Sequence, residues 1–92
     1  MIRSFKDNKT EQVFHGDSVR PYRNFEEIAR RKLRYLNHAR TLRDLLIPPG
    51  NRLEALSRDR KGQHSIRIND QFRICFRCED GDAYEVEITD YH

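Results

Sequence analysis

Ninety-two residues, 36% charged and 36% hydrophobic, make one globular domain spanning 1–92. A chain this short buries only about 60 to 65% of its unfolded surface, so its margin of stability is thin and a partner would widen it. No apolar run approaches a membrane-spanning helix or signal peptide, so a membrane role is excluded and a cytoplasmic location expected. The net charge is +3, yet fourteen of the eighteen basic residues are arginine. Guanidinium groups bind phosphate bidentately and stack on bases, so this bias points to a polyanion, with a merely solvated arginine-rich surface carrying about even weight.

In chain order, Ile2 to Phe5 alternates as a short additional strand would. Asp7 caps a short helix running through Val13 and Phe14, which His15-Gly16 ends. Asp17 to Arg23 reads as a connector, with Pro21 discouraging helix at Arg20. Asn24 and Glu27 form a capping box for the longest helix, whose apolar stripe is Phe25, Ile28, Ala29, Leu33 and Leu36. Arg30, Arg31 and Arg34 fall on its opposite face, for which solvation is the simpler reading. Thr41 caps a second short helix with Leu42, Leu45 and Leu46 turned inward, stopped by Pro48-Pro49-Gly50. Leu53 to Leu56 is a short extended piece or helical turn, followed by an exposed basic loop holding Arg58, Arg60 and Lys61.

The stretch from Gly62 to His92 reads as a three-stranded antiparallel sheet. Alternation puts Ile66, Ile68, Phe72, Ile74, Phe76, Tyr84, Val86 and Ile88 on a core face. Arg67, Arg73, Arg77, Glu85 and Glu87 fall on a charged one. A uniform ladder requires a three-residue loop, Glu79-Asp80-Gly81, opposing Phe76 to Tyr84, Ile74 to Val86 and Phe72 to Ile88, and so Arg73 to Glu87. The turn at Asn69-Asp70-Gln71 must also be odd in length, with Asp70 a candidate for positive φ. Cys75 and Cys78 form a C-x-x-C, but in a strand they face opposite sides and no second pair completes a zinc site, so both read as ordinary thiols. His64 opens the sheet on its core face, as a partly buried structural residue. No spaced metal set, P-loop or dinucleotide motif is present.

The run GQHSIRINDQFRICF, the ending with VEI and DYH, the upstream block PPGNRLEAL and the opening MIRSF together resemble the HigB toxins of the RelE/ParE superfamily, over nearly the whole chain. The resemblance implies an α+β RelE-like fold with the N-terminal strand and helices packed on one face of an antiparallel sheet. It implies a ribosome-dependent mRNA endonuclease that halts translation. The implied partners are the ribosome, mRNA and a HigA-type helix-turn-helix antitoxin, with operator DNA reached only through that antitoxin. No cofactor or metal is expected.

Cleaving RNA without a metal requires a base for the 2′-OH, positive charge on the five-coordinate phosphate and an acid for the 5′-oxygen. His92 is the natural acid or base, Asp90 could orient it, and Tyr91 could stack on a base or donate to phosphate; on the residues alone each is equally a local or packing feature. The resemblance places Asp90, Tyr91, His92 and Arg73 in the active site. Arg67 and Arg77 share the face of Arg73, and Arg58, Arg60 and Lys61 would assist in holding RNA. Glu54 is a departure, since some HigB toxins have histidine at the matching place. An ionised carboxylate cannot donate a proton, so either His92 takes the acid-base work or Glu54 merely supports Arg58 or Arg60, and the nuclease would be weak. The rivals are a ParE-like gyrase inhibitor on the same fold, which is not an enzyme, and a non-toxic basic RNA-binding protein.

Overall fold

The computed structural model describes residues 1–90. Its helices are α1 (Asn8–Phe14) and α2 (Glu26–His38), and its strands are β1 (Glu54–Ala55), β2 (Gln63–Arg67), β3 (Phe72–Glu79) and β4 (Asp82–Asp90). The strands form an antiparallel sheet in the order β1-β2-β3-β4, so β1 adds a fourth strand at one edge.

The N-terminal segment lines the other edge. Ile2 and Phe5 bridge Ala83 and Val86 in parallel, with the Arg3 N–H donating to the Ala83 carbonyl at 2.7 Å and the Val86 N–H to the Ser4 carbonyl at 3.1 Å. Further along, the Ile88 N–H donates to Oγ1 of buried Thr10 at 2.9 Å. These contacts satisfy edge amides of β4 that would otherwise invite pairing with another chain.

Ala29, Leu33 and Leu36 of α2 and Val13 of α1 pack against Ile66, Ile68, Ile74, Phe76, Val86 and Ile88 of the sheet. Asp7 caps α1 by accepting the Thr10 N–H at 2.7 Å, and Gly16 leaves it at φ +100°, as the sequence indicates. Arg30, expected to be solvated, seals the end of α1: its Nε donates to the Val13 carbonyl at 2.8 Å and its Nη2 to the Asp17 carbonyl at 3.2 Å.

Three helical expectations need correction. The connector is a 3-10 turn over Arg20–Phe25 that takes up Asn24, so α2 starts at Glu26 with Phe25 at its N-cap and no capping box. Ile28 is 38% exposed, because it lies one step, about 100°, off the Ala29–Leu33–Leu36 stripe. Leu46 is exposed because Leu42–Leu46 is 3-10, whose threefold repeat turns Leu42 and Leu45 inward together and Leu46 away. The place beside Leu33 and Leu36 is taken by Lys32, a buried lysine whose ammonium donates to Asn51 Oδ1 at 2.5 Å.

The β3–β4 hairpin departs from a uniform ladder. Its loop is the two residues Asp80-Gly81, at φ +51° and +83°, both left-handed as a type I′ turn requires. The pairs Glu79–Asp82, Cys78–Ala83 and Arg77–Tyr84 follow, and then the register shifts so that Cys75 faces Glu87 and Ile74 faces Ile88. A bulge at Glu85, at φ +52°, absorbs the extra residue and returns Val86 and Ile88 to the core face. The expected three-residue loop is thereby replaced. Tyr84 lies beside Arg77 on the polar face and not in the core, and Arg73 opposes Thr89 and not Glu87.

The β2–β3 loop has the expected odd length, Arg67 pairing with Arg73. Asp70 does not take positive φ; Asn69 Oδ1 shapes the loop instead, accepting the N–H groups of Gln71 at 2.9 Å and Phe72 at 2.8 Å.

Candidate functional site

The register places Glu54, Ser65, Arg67, Arg73 and Glu87 on the sheet face away from α2. Arg73 lies at its centre and is only 8% exposed. Its Nε donates to Oγ of buried Ser65 at 2.7 Å, and its Nη2 to the Arg52 carbonyl at 2.6 Å. That carbonyl belongs to a residue held left-handed, at φ +44°, after the Pro49–Asn51 turn. Its Nη1 stands 3.9 Å from Glu54 Oε1. Glu54 therefore accompanies Arg73, not Arg58 or Arg60. Two-residue β1 sets it there by pairing Glu54 with Ser65.

Arg67 and Arg73 are directly opposed across β2 and β3. Like charges so placed repel. The structure separates them: Arg67 Nη2 turns to Asp70 Oδ1 at 2.5 Å while Arg73 turns towards Ser65 and Arg52. Arg77 lies towards the hairpin loop, held by Glu85 at 3.0 Å and Glu79 at 3.5 Å, with its guanidinium 5.6 Å from the Tyr84 ring.

The basic loop is only partly exposed. Arg58 and Lys61 face solvent, but Arg60 folds onto the sheet, its Nη1 donating to Glu87 Oε1 at 2.7 Å and to Gln63 Oε1 at 3.1 Å. Asp90 pairs with Phe72, which puts its register position on the parity opposite Arg73, and its Oδ2 accepts from Gln71 Nε2 at 3.0 Å. Tyr91 and His92 lie outside the described residues.

Cys75 is fully buried on the polar face, where burial pushes its thiol above the usual range, and neither it nor Cys78 is in a disulfide. His64 is half-buried against Phe76, as expected. Among the described residues no group of three or more His, Cys, Asp or Glu side chains could hold a metal ion, and no helix is long and apolar enough to cross a membrane.

Ser65 and Glu87 escaped assignment to the site. Ser65 becomes informative only once the register places it two residues before Arg67 and opposite Cys75, within reach of the Arg73 guanidinium.

Helices on one face of an antiparallel sheet, with guanidinium groups on the other, make a RelE-like α+β fold. It matches two solved structures of the YoeB–YefM complex from Staphylococcus aureus with TM-scores of 0.57 and 0.58, at 14% identity over 100% of this chain and 98% of those chains. The family described as the RelE-like toxin of type II toxin-antitoxin system HigB matches residues 3–92, and the chain belongs to it. It is 41% identical over 85 residues to Toxin HigB-1 of Vibrio cholerae, covering 90% of both chains. An uncharacterized protein of Haemophilus influenzae is 32% identical over 60 residues, 65% of this chain and 59% of that one.

Proposed function

We propose that this HigB-family toxin is an endoribonuclease that cuts mRNA on the ribosome and is neutralised by a HigA-type helix-turn-helix antitoxin. The observation that carries the reading is Arg73, braced by Ser65 and the Arg52 carbonyl on a rigid strand with Glu54 3.9 Å away. Preorganised positive charge stabilises a transition state because it needs no reorganisation when charge develops.

In the proposed reaction the ribose 2′-oxygen attacks the adjacent phosphorus and the bond to the 5′-oxygen breaks, leaving a 2′,3′-cyclic phosphate. Glu54 takes the 2′-OH proton, Arg73 stabilises the five-coordinate phosphate, and His92 protonates the leaving oxygen, aided by Tyr91, while Asp90, on the opposite parity and held by Gln71, acts by anchoring the end of the strand. Arg67 and the Arg58–Lys61 loop hold flanking phosphates, with Arg77 further along the same face. Such a sparse set gains from a ribosome that positions the message, since orientation alone lowers the barrier.

The test maps mRNA cuts on purified ribosomes with the intact toxin and a form lacking His92, beside free RNA. Cuts that require both the ribosome and His92 are expected. Equal cutting by both forms removes His92 from the mechanism, and gyrase inhibition without any cuts establishes the ParE-like alternative.

A further inference from the structure

Glu87 lies within this face, where a carboxylate should weaken RNA binding. Its side chain is 15% exposed, and its Oε1 accepts from Arg60 Nη1 at 2.7 Å while Lys6 Nζ stands 3.8 Å away. The two cations come from separate segments, the Arg58–Arg60 turn and the N-terminal edge segment, and converge on one oxygen. Phosphate oxygens are recognised by the same kind of arrangement. Register sets Glu87 opposite Cys75, two residues along β4 from the Thr89 that opposes Arg73.

We propose that Glu87 is a built-in substitute for an RNA phosphate: it keeps Arg60 and Lys6 in phosphate-binding positions while lowering the affinity of the face for RNA off the ribosome. This rests on the reading of the face as an RNA interface. A message held on the ribosome arrives at high effective concentration and displaces the carboxylate; free RNA does not. An ion pair that only tied the turn to the sheet would act differently. Its loss would change RNA binding by no more than the removed charge, a gain that would survive loss of both cations.

The experiment measures binding of the full-length toxin to a short, uncleavable 2′-O-methyl RNA by fluorescence anisotropy at two salt concentrations. Glu87→Gln should bind about three- to tenfold tighter, with a salt dependence steeper by about one phosphate contact, and Glu87→Asp should stay within about twofold of the parent. Adding Lys6→Gln and Arg60→Gln to Glu87→Gln should abolish the gain. Unchanged or weaker binding by a Glu87→Gln protein that melts normally overturns the proposal, as does a gain that survives loss of both cations. Should Gln loosen the turn, uncharged Glu87→Met gives the same reading. Arg73→Ala, assayed for cutting on ribosomes, separates the two claims. If it cuts normally, the interface itself is misassigned; if it fails while Glu87→Gln binds like the parent, only the role of Glu87 falls.

Discussion

On one face of the sheet Ile66, Ile74 and Phe76 are at most 1% exposed beneath α2, while on the other Arg67 and Arg73 oppose each other and are held apart by separate acceptors. The two faces are alternate residues of the same strands. The first is held by burial, which is non-directional and tolerates small shifts; the second by hydrogen bonds of fixed geometry, each placing one charged group. Stability should therefore reside on the helix side and activity on the guanidinium side, and substitutions can test that division.

The largest effect belongs to the core. Ile74→Ala should cost about 3 to 4 kcal/mol, a large part of the roughly 5 to 10 kcal/mol available to a small domain. Arg77→Ala, three residues along the same strand but on the other face and half-exposed, should cost under about 1 kcal/mol despite its ion pairs. Urea unfolding of both variants gives the comparison. Equal losses would break it.

Next comes Arg73→Lys, which keeps the charge but lacks the planar fork that spans Ser65 and the Arg52 carbonyl. Cutting on ribosomes should fall about a hundredfold, while the urea midpoint moves far less than for Ile74→Ala. A variant that cuts normally would leave the guanidinium face without its assigned role.

The helix side also buries a polar cluster around Asn51. Asn51 accepts from Lys32 and donates to the carbonyls of Leu45 at 3.2 Å and Ile47 at 3.4 Å. Asn51→Ala strands all three and should cost about 1 to 3 kcal/mol. Burial, with help from Arg31 and Arg67, holds the Lys32 ammonium below its usual 10.5. Between that lowered value and 10.5 the unfolded chain binds more protons, so Lys32 makes stability rise with pH in this window. Comparing urea midpoints at neutral and alkaline pH should show the rise in the parent and its loss in Lys32→Met.

Alternation made most of this division legible from sequence: the inward isoleucines, Phe76 and the outward Arg67 and Arg73 are where period two puts them. Asp7 and Gly16 bounded α1 because cap and left-handed exit are local chemistry. The bulge at Glu85 was not legible, since a non-glycine residue at positive φ has no sequence marker and a regular ladder is the simpler assumption. Tyr84 and the partner of Arg73 were misplaced for that one reason. Likewise the bracing of Arg73 by Ser65 and Arg52, and the meeting of Arg60 with Glu87, depend on contacts between segments far apart in sequence that no local pattern encodes.

The smallest effect lies where the two faces meet the edge of β4. The Asp82 carboxyl is hydrogen-bonded by Arg3 Nε at 3.0 Å and stands 3.3 Å from the Met1 ammonium, which together hold it below the usual 3.8. A carboxyl depressed in the fold contributes stability above its unfolded value and loses it as pH falls through the folded one. Acid should therefore loosen the Ile2–Phe5 segment from β4 before the core responds. The amides of Arg3 and Lys6, which donate to the Ala83 and Val86 carbonyls at 2.7 and 2.9 Å, report this directly. Their hydrogen-exchange protection should drop as pH falls below the usual 3.8 and through the lowered folded value, while that of Ile74 holds, and Asp82→Asn should lack the step. The pair is exposed to solvent, so added salt should flatten the step. Protection lost together at the edge and in the core would mean that the N-terminal segment is part of the cooperative core and not a separable edge.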